Sequence, residues 1–159
     1  MAKLVENAFR DVNIAFANEL SMICDNLNIN VWELINLANR HPRVNILNPG
    51  AGVGGHCIAV DPWFIISEYP EDSKILTAAR EVNDSKPSWV VEKIINFLKF
   101  NFPKNKSLKI GILGVTYKPN VDDIRQSPAL EVINKLKKLD YQLLISDPFY
   151  EKLNDLNFI

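Results

Sequence analysis

Cys57 ends a glycine-rich stretch, PGAGVGGHC, and Asp61 follows it by about one helical turn, immediately before Pro62. A thiol presented by a glycine loop just ahead of a helix sits among backbone N–H groups and a positive helix end. Both favour a thiolate or a developing oxyanion, which suits a nucleophile. A lone cysteine is also among the residue types most often buried for packing, so the loop by itself leaves both readings open. Asp61 is equally double: it has the chemistry of a helix N-cap before a proline, and that position leaves a catalytic role open. His56 adjoins Cys57, but neighbours in an extended loop point apart, which argues against a Cys-His dyad. Cys24, beside Ile23 on an apolar helical pattern, belongs in a core.

Gly50, Gly52 and Gly55 formally satisfy G-x-G-x-x-G, the dinucleotide fingerprint. That fingerprint needs a strand before it and a helix opening within it, whereas LNP precedes this one and Cys57 and Asp61 follow. No Gly-Lys-Ser/Thr ending makes it a P-loop. The two histidines and two cysteines lack ligand spacing, so no metal site is expected. Lys3, Asn7 and Arg10 recur at spacings of four and three and form one polar stripe, whose plain reading is a solvated helix face.

The elements that must position these groups are helical as far as Phe100. From Ala2 to Leu27 apolar residues recur every three or four positions, which predicts one long amphipathic helix, with an apolar pattern too extensive for one small helical layer to cover and hence a homodimer built on it. Asn30 and Glu33 resemble a capping box for a second helix running toward Arg40. Pro42, Pro49 and the glycines make His41 to Asp61 an ordered or functional loop. Further helices are expected over Pro62 to Tyr69, Ser73 to Asn83 and Pro87 to Phe100. After Asn101 the pattern changes: LKIGILGV reads as a buried parallel strand, Ser127 caps a helix to about Leu139, and YQLLISD supplies a second strand. Strand, helix, strand is half of a doubly wound sheet, too little to cover both its faces.

With 159 residues, 47% hydrophobic and 23% charged, the chain suffices for one domain or one domain plus part of another. Lys and Arg number 18 against 19 Asp and Glu, which leaves no basic footprint for nucleic acid or an anionic membrane. No apolar run approaches the roughly 20 residues that cross a bilayer, and MAKLVEN lacks signal-peptide character. A soluble cytoplasmic chain is expected, with both cysteines as thiols.

The run K-x-x-x-N-x-x-R from Lys3 to Arg10, NEL at Asn18 to Leu20, HPRVN, PGAGVGGHCIAVDPWF and YKPNVDDIRQSPAL together resemble the nucleotide-sugar 6-dehydrogenases. The likeness runs from Lys3 to about Asp147. It implies a mainly α central dimerisation domain over residues 1–101, followed by a partial α/β, Rossmann-like UDP-binding domain over 102–159. The N-terminal NAD-binding domain is expected to be absent. The implied reaction oxidises the C6 hydroxymethyl of a UDP-sugar to a carboxylate with two NAD, through a thioester on Cys57. Lys3 and Asn7 would stabilise the oxyanion, and Asp61 would serve the hydrolytic water. Arg10 and Gly52 are implied at the substrate, as are Tyr117 and Lys118. His41 and Arg43 would reach the sugar nucleotide of a neighbouring subunit, and Arg125 would touch NAD. Arg10 and Arg125 also suit surface ion pairs. The expected partners are a UDP-sugar and a second copy in a homodimer, with no nucleic acid and no membrane. UDP-N-acetylmannosamine is the expected sugar and a UDP-glucose-type substrate the alternative. Two other readings stand beside this one: a non-catalytic dimerisation fragment, inactive alone, and a thiol hydrolase, which lacks an independently supported histidine.

Overall fold

The computed structural model describes residues 1–103 and 108–150. It has the expected class: helices first, then a small parallel α/β element. Two compact units divide at Lys86/Pro87, within one long helix.

In the first unit, α1 (Ala2–Asn26) packs on α2 (Val31–Ala38) and α3 (Asp61–Glu68), and α4 (Lys74–Asn101) begins. α1 ends in a Schellman turn: Asn28 takes φ 55°, and the Ile29 N–H reaches back to the Cys24 carbonyl at 2.9 Å. Asn30 caps α2 as expected, accepting from the N–H groups of Trp32 and Glu33.

α1 leaves much of its apolar pattern exposed and buries polar groups that the sequence reading did not mark. Ala8, Asp11, Ala15 and Asn18 face inward, while Val5, Phe9, Phe16, Ile23 and Leu27 are exposed. Polar groups can occupy that inner face because they hydrogen-bond to one another, although Asp11 Oδ2 and Arg80 Nε find no partner among the described residues. The Arg80 guanidinium donates to Asp11 Oδ1 (2.6 Å) and also pairs with Asp84. The Asn83 amide donates to Asp11 Oδ1 (2.8 Å), and the Asn18 amide donates to Asn83 Oδ1 (2.9 Å).

The same network accounts for a second difference. The helices expected over Ser73–Asn83 and Pro87–Phe100 are one continuous α4, with Pro87 inside it. An interior proline costs about 3 kcal/mol, since it removes a backbone donor and crowds the preceding turn. The residues just before it are fixed to α1 by Asn83 and by Lys86, whose ammonium donates to the Asn18 carbonyl (3.3 Å) and the Ser21 hydroxyl (2.5 Å). Tertiary bonds therefore hold the turn helical against the local preference.

Burial lowers the Lys86 pKa from 10.5 to about 8, against an opposing pull from Asp25. A lysine with a depressed folded pKa binds its proton better when unfolded, so its contribution to stability rises with pH from about 8 to 10.5. Lys86→Met is expected to remove that rise, worth roughly 2 kcal/mol. Urea midpoints at about pH 7.5 and pH 10 check this, and parallel pH dependences in the two proteins would refute it.

In the second unit, β1 (Lys109–Leu113) and β2 (Gln142–Ser146) pair in parallel, from Lys109↔Gln142 to Leu113↔Ser146, joined through α5 (Pro128–Lys137). Val132, Ile133 and Leu136 of α5 pack with Val115, Leu143, Ile145 and Val91 of α4. Ser127 caps α5, accepting from the Leu130 N–H while its hydroxyl donates to the Val115 carbonyl at 2.7 Å. β1 was expected to be buried, yet Leu113 is 89% exposed, because β2 is its sole strand neighbour among the described residues. No described helix is long and apolar enough to cross a membrane.

Candidate active site

Four of the residues singled out from the sequence converge within the first unit. Asp61 was expected to cap α3, but Val60 occupies that position, no side chain caps the helix, and Asp61 begins its first turn. Its carboxylate turns to α1 instead. Asn7 donates to Asp61 Oδ2 at 2.6 Å, and the Lys3 ammonium lies 3.1 Å from the same oxygen. The polar stripe on α1 is thus more than a solvated face at Lys3 and Asn7, whereas Arg10 is exposed. Asp61 is nearly buried and Lys3 is 67% exposed.

The Lys3 hydrogen bond holds the Asp61 carboxyl below the usual carboxylate range; burial opposes it, and the Asn7 hydrogen bond and the Lys3 charge assist it. Reciprocally, the hydrogen bond to Asp61 raises the Lys3 pKa, followed by the Asp61 charge and the charge of Cys57. Asp61 is therefore an anion and Lys3 a cation through the neutral range, with Cys57 electrostatically within reach of the lysine.

The loop presents Cys57 by a definite construction. Asn18, fully buried, accepts from the Gly50 N–H at 2.8 Å, so the polar network of α1 and α4 fixes the loop's first glycine. Gly55 takes φ 82°, a conformation that side-chain-bearing residues rarely adopt, and turns the chain just before His56. From His56 to Val60 the backbone is a turn, and the Cys57 carbonyl accepts from the N–H groups of Val60 (3.1 Å) and Asp61 (2.7 Å). Cys57 therefore stands one turn ahead of Asp61 at the entry to α3. The turn corrects the expectation for His56: its Nε2 lies 3.5 Å from Cys57 Sγ rather than pointing away. The i, i+4 spacing of Cys57 and Asp61 was the signal for a turn there. Asn18 and Asp11, seven apart on α1, were a missed signal of a polar inner face. Cys24 is buried, as expected.

Asn39 closes the HPRVN loop with both ends of its amide, accepting from the Ile46 N–H (2.7 Å) and donating to the Ile46 carbonyl (3.0 Å). Within that loop His41 and Arg43 are exposed, and His41 Nδ1 accepts from the Arg43 N–H at 3.2 Å. Gly52, at φ 141°, lies in the Cys57 loop. In the second unit, the Lys118 ammonium sits 5.4 Å from the Tyr117 ring centroid. Arg125 forks onto Asp123, with its Nη2 at 2.6 Å. Among the described residues no group of three His, Cys, Asp or Glu could hold a metal ion.

A family model for the UDP-glucose/GDP-mannose dehydrogenase family, central domain, matches residues 1–85, and the same family's UDP binding domain matches residues 111–158. The UDP-N-acetyl-D-mannosamine dehydrogenase of Campylobacter jejuni is 58% identical over 154 residues, 96% of this chain and 37% of the relative. The NDP-N-acetyl-D-galactosaminuronic acid dehydrogenase of Ralstonia nicotianae is 57% identical over 136 residues, 86% of this chain and 31% of the relative. Among solved structures, the UDP-N-acetyl-mannosamine dehydrogenase of Staphylococcus aureus superposes with a TM-score of 0.85 at 48% identity, over 99% of this chain and 37% of that one. The chain thus spans about a third of the length of the curated relatives it matches.

Proposed function

The chain belongs to the UDP-glucose/GDP-mannose dehydrogenase family, and on that premise we propose that it is the catalytic-loop region of a UDP-N-acetylmannosamine 6-dehydrogenase. In this reading residues 1–101 form the central domain and 102–159 the start of the UDP-binding domain. The observation that carries the proposal is the convergence of Lys3 and Asn7 from α1 on Asp61, one turn beyond Cys57.

The hydride acceptor in this reading is NAD, and the described residues make no cradle for it. A dinucleotide cradle needs a strand feeding a glycine turn at a helix N-terminus, whereas the stretch with the fingerprint spacing follows loop and enters a turn. Arg125, the one implied contact, is engaged with Asp123. The chain alone is therefore expected to be inactive, and its own chemistry takes place on the sugar carbon.

At the aldehyde stage, Cys57 Sγ attacks C6 and the carbonyl pair moves to oxygen. Lys3, exposed on one side of Asp61, is the cation able to meet that oxyanion, and Asn7 supplies a hydrogen-bond donor. At the thioester stage, Asp61, ionised through the neutral range, accepts a proton from the attacking water. Tyr117 and Lys118 are proposed to contact the nucleotide, and Arg10 and Gly52 to lie at the sugar side.

A homodimer is part of the proposal. Phe9, Phe16 and Ile23 recur every seven residues and are exposed, with Val5 and Leu27 extending the stripe. A contiguous apolar face of this kind marks an interface. His41 and Arg43, held out by the Asn39 clamp, are then proposed to serve the partner's sugar nucleotide; arginine suits a diphosphate through its paired donors. The chain is expected to sediment as a dimer at micromolar concentration, and Phe16→Glu as a monomer. A stable, folded monomer of the unmodified chain would contradict the dimer.

The function is tested in a chimera that carries this segment in place of the matching third of the Campylobacter jejuni enzyme. It is expected to oxidise UDP-N-acetylmannosamine with two NADH formed per sugar. A folded chimera that leaves this sugar unchanged, or that prefers UDP-glucose in competition, overturns the reading.

A further inference from the structure

His56 is exposed, Cys57 half-buried, and the turn that begins at Gly55 brings His56 Nε2 to 3.5 Å from Cys57 Sγ. Lys3 from α1 and Asp61 from α3, themselves joined at 3.1 Å, couple electrostatically to the pair, Lys3 to Cys57 and Asp61 to His56. We propose that His56 is a catalytic residue, the proton acceptor for the Cys57 thiol, and that Lys3 and Asp61 are the counter-ions of the resulting thiolate and imidazolium. This step rests on the reading of Cys57 as nucleophile.

The arrangement has a physical logic. Moving a proton from sulfur to an adjacent imidazole creates two charges, and in this site each is matched. Lys3 favours the thiolate and Asp61 favours the imidazolium, while the Lys3–Asp61 pair is already formed before the proton moves. The electrostatic couplings run the same way. After the Asp61 hydrogen bond and charge, Cys57 is the next influence raising Lys3, and His56 joins Lys3 and Asn7 in favouring the Asp61 anion.

The proton transfers balance at both ends of the reaction, and the oxidation between them, which turns the adduct into the thioester, passes its hydride to the NAD of the proposed function. As the Cys57 sulfur bonds to the aldehyde carbon, its proton passes to His56 Nε2 and the carbonyl pair becomes the oxyanion facing Lys3. When water later hydrolyses the thioester, the carbon–sulfur bond breaks, the pair returns to sulfur, and the imidazolium restores the thiol proton. Asp61 takes the proton of the water, so the two acid–base duties fall on two different groups.

The test is the pH dependence of Cys57 alkylation by iodoacetamide in this chain, with the peptide containing Cys57 quantified by mass spectrometry. Cys24, only 2% exposed, reports unfolding by becoming reactive. His56→Gln is expected to slow alkylation about fivefold near pH 7 and to leave it unchanged near pH 10, where the thiol ionises without help. If Cys24 becomes reactive in that variant, His56→Asn is measured in its place. Equal rates near pH 7 would overturn the proposal. So would slowing by the same factor at both pH values, which would mean a change of access alone. In the chimera, His56→Gln should lower the rate of aldehyde consumption most at the acid end of the profile. An alkylation profile that follows the expectation in a chimera that oxidises no sugar would keep the proton transfer and remove the proposed function. The reverse outcome would keep the function and remove His56 from it.

Discussion

Cys57→Ser in the chimeric dehydrogenase is expected to stop carboxylate formation almost completely, by roughly a hundredfold or more, while the alcohol is still oxidised to the aldehyde. Hydride removal from a hydroxymethyl group needs no sulfur nucleophile, but forming and hydrolysing a thioester does. A serine hydroxyl ionises far less readily than a thiol, and the Asp61 carboxylate is held by Lys3 and Asn7 rather than orienting the His56 imidazole as a hydrolase triad would. The yield of NADH should accordingly fall from two per sugar toward one. Mass spectrometry should find an acylated enzyme with Cys57 under turnover conditions and none, or a slowly hydrolysed ester, with serine. Lys3→Ala should slow capture of the aldehyde and collapse of the adduct, because it removes the cation nearest the oxyanion and leaves Asp61 with Asn7 alone. Unmodified conversion of the UDP-sugar to the uronic acid by Cys57→Ser would end the covalent mechanism and return the loop to a structural role.

The local signals were legible wherever short-range chemistry decides conformation. Asn30 and Ser127 cap the helices they were expected to cap, and the two apolar runs form the paired strands with α5 between them. These depend on a few neighbouring residues and need no knowledge of the rest of the chain. What could not be read depends on partners distant in sequence. Asp61 has the composition of a cap, yet Lys3 and Asn7, more than fifty positions earlier, take its carboxylate. Pro87 has the signature of a helix boundary, yet Asn83 and Lys86 are held from α1. The buried polar residues of α1, Asp11 and Asn18, were missed for the same reason. Periodicity identifies which residues share a side of a helix, and it cannot say which side meets water when one side is a hydrogen-bonded polar network and the other a bare apolar stripe. Among the site residues, Lys3 and Asn7 read by themselves as a solvated stripe, and only the family resemblance set them beside Cys57 and Asp61; Lys3 and Asn7 do meet Asp61. His56 was set aside on the assumption of an extended loop that the turn at His56–Val60 does not obey.

The polar network also carries the second large effect. Asp11→Ala is expected to destabilise the first unit by about 3–5 kcal/mol, the cost of stranding a buried charge. Arg80 is 2% exposed, and Asp11 Oδ1 is its buried acceptor; the same oxygen takes the Asn83 amide. Removing it leaves the guanidinium with Asp84 at the surface end only, and Arg80 Nε is already buried without a hydrogen-bond partner among the described residues. The pair is a poor source of net stability even when intact. Burial raises the Asp11 pKa above its ordinary value against the opposing charge of Arg80 and the hydrogen bonds of Asn83 and Arg80. A carboxyl with a raised folded pKa binds its proton better when folded, so its contribution to stability falls as pH rises through that range. Both charges must then be removed to recover the loss, and Asp11→Leu with Arg80→Met is expected to be more stable than Asp11→Ala alone. The network's role reaches further than stability, because Asn83 hands its order to Asn18, and Asn18 holds the Gly50 N–H at the start of the Cys57 loop. The double variant should therefore stay folded yet alter Cys57 alkylation at a fixed pH, since Asn83 has lost its side-chain acceptor and keeps only the Asp11 carbonyl at 3.1 Å. Denaturant titrations of the three proteins decide the point: a loss below about 1 kcal/mol for Asp11→Ala, or a double variant no more stable than the single one, would mean that Arg80 is not the buried dependent of Asp11.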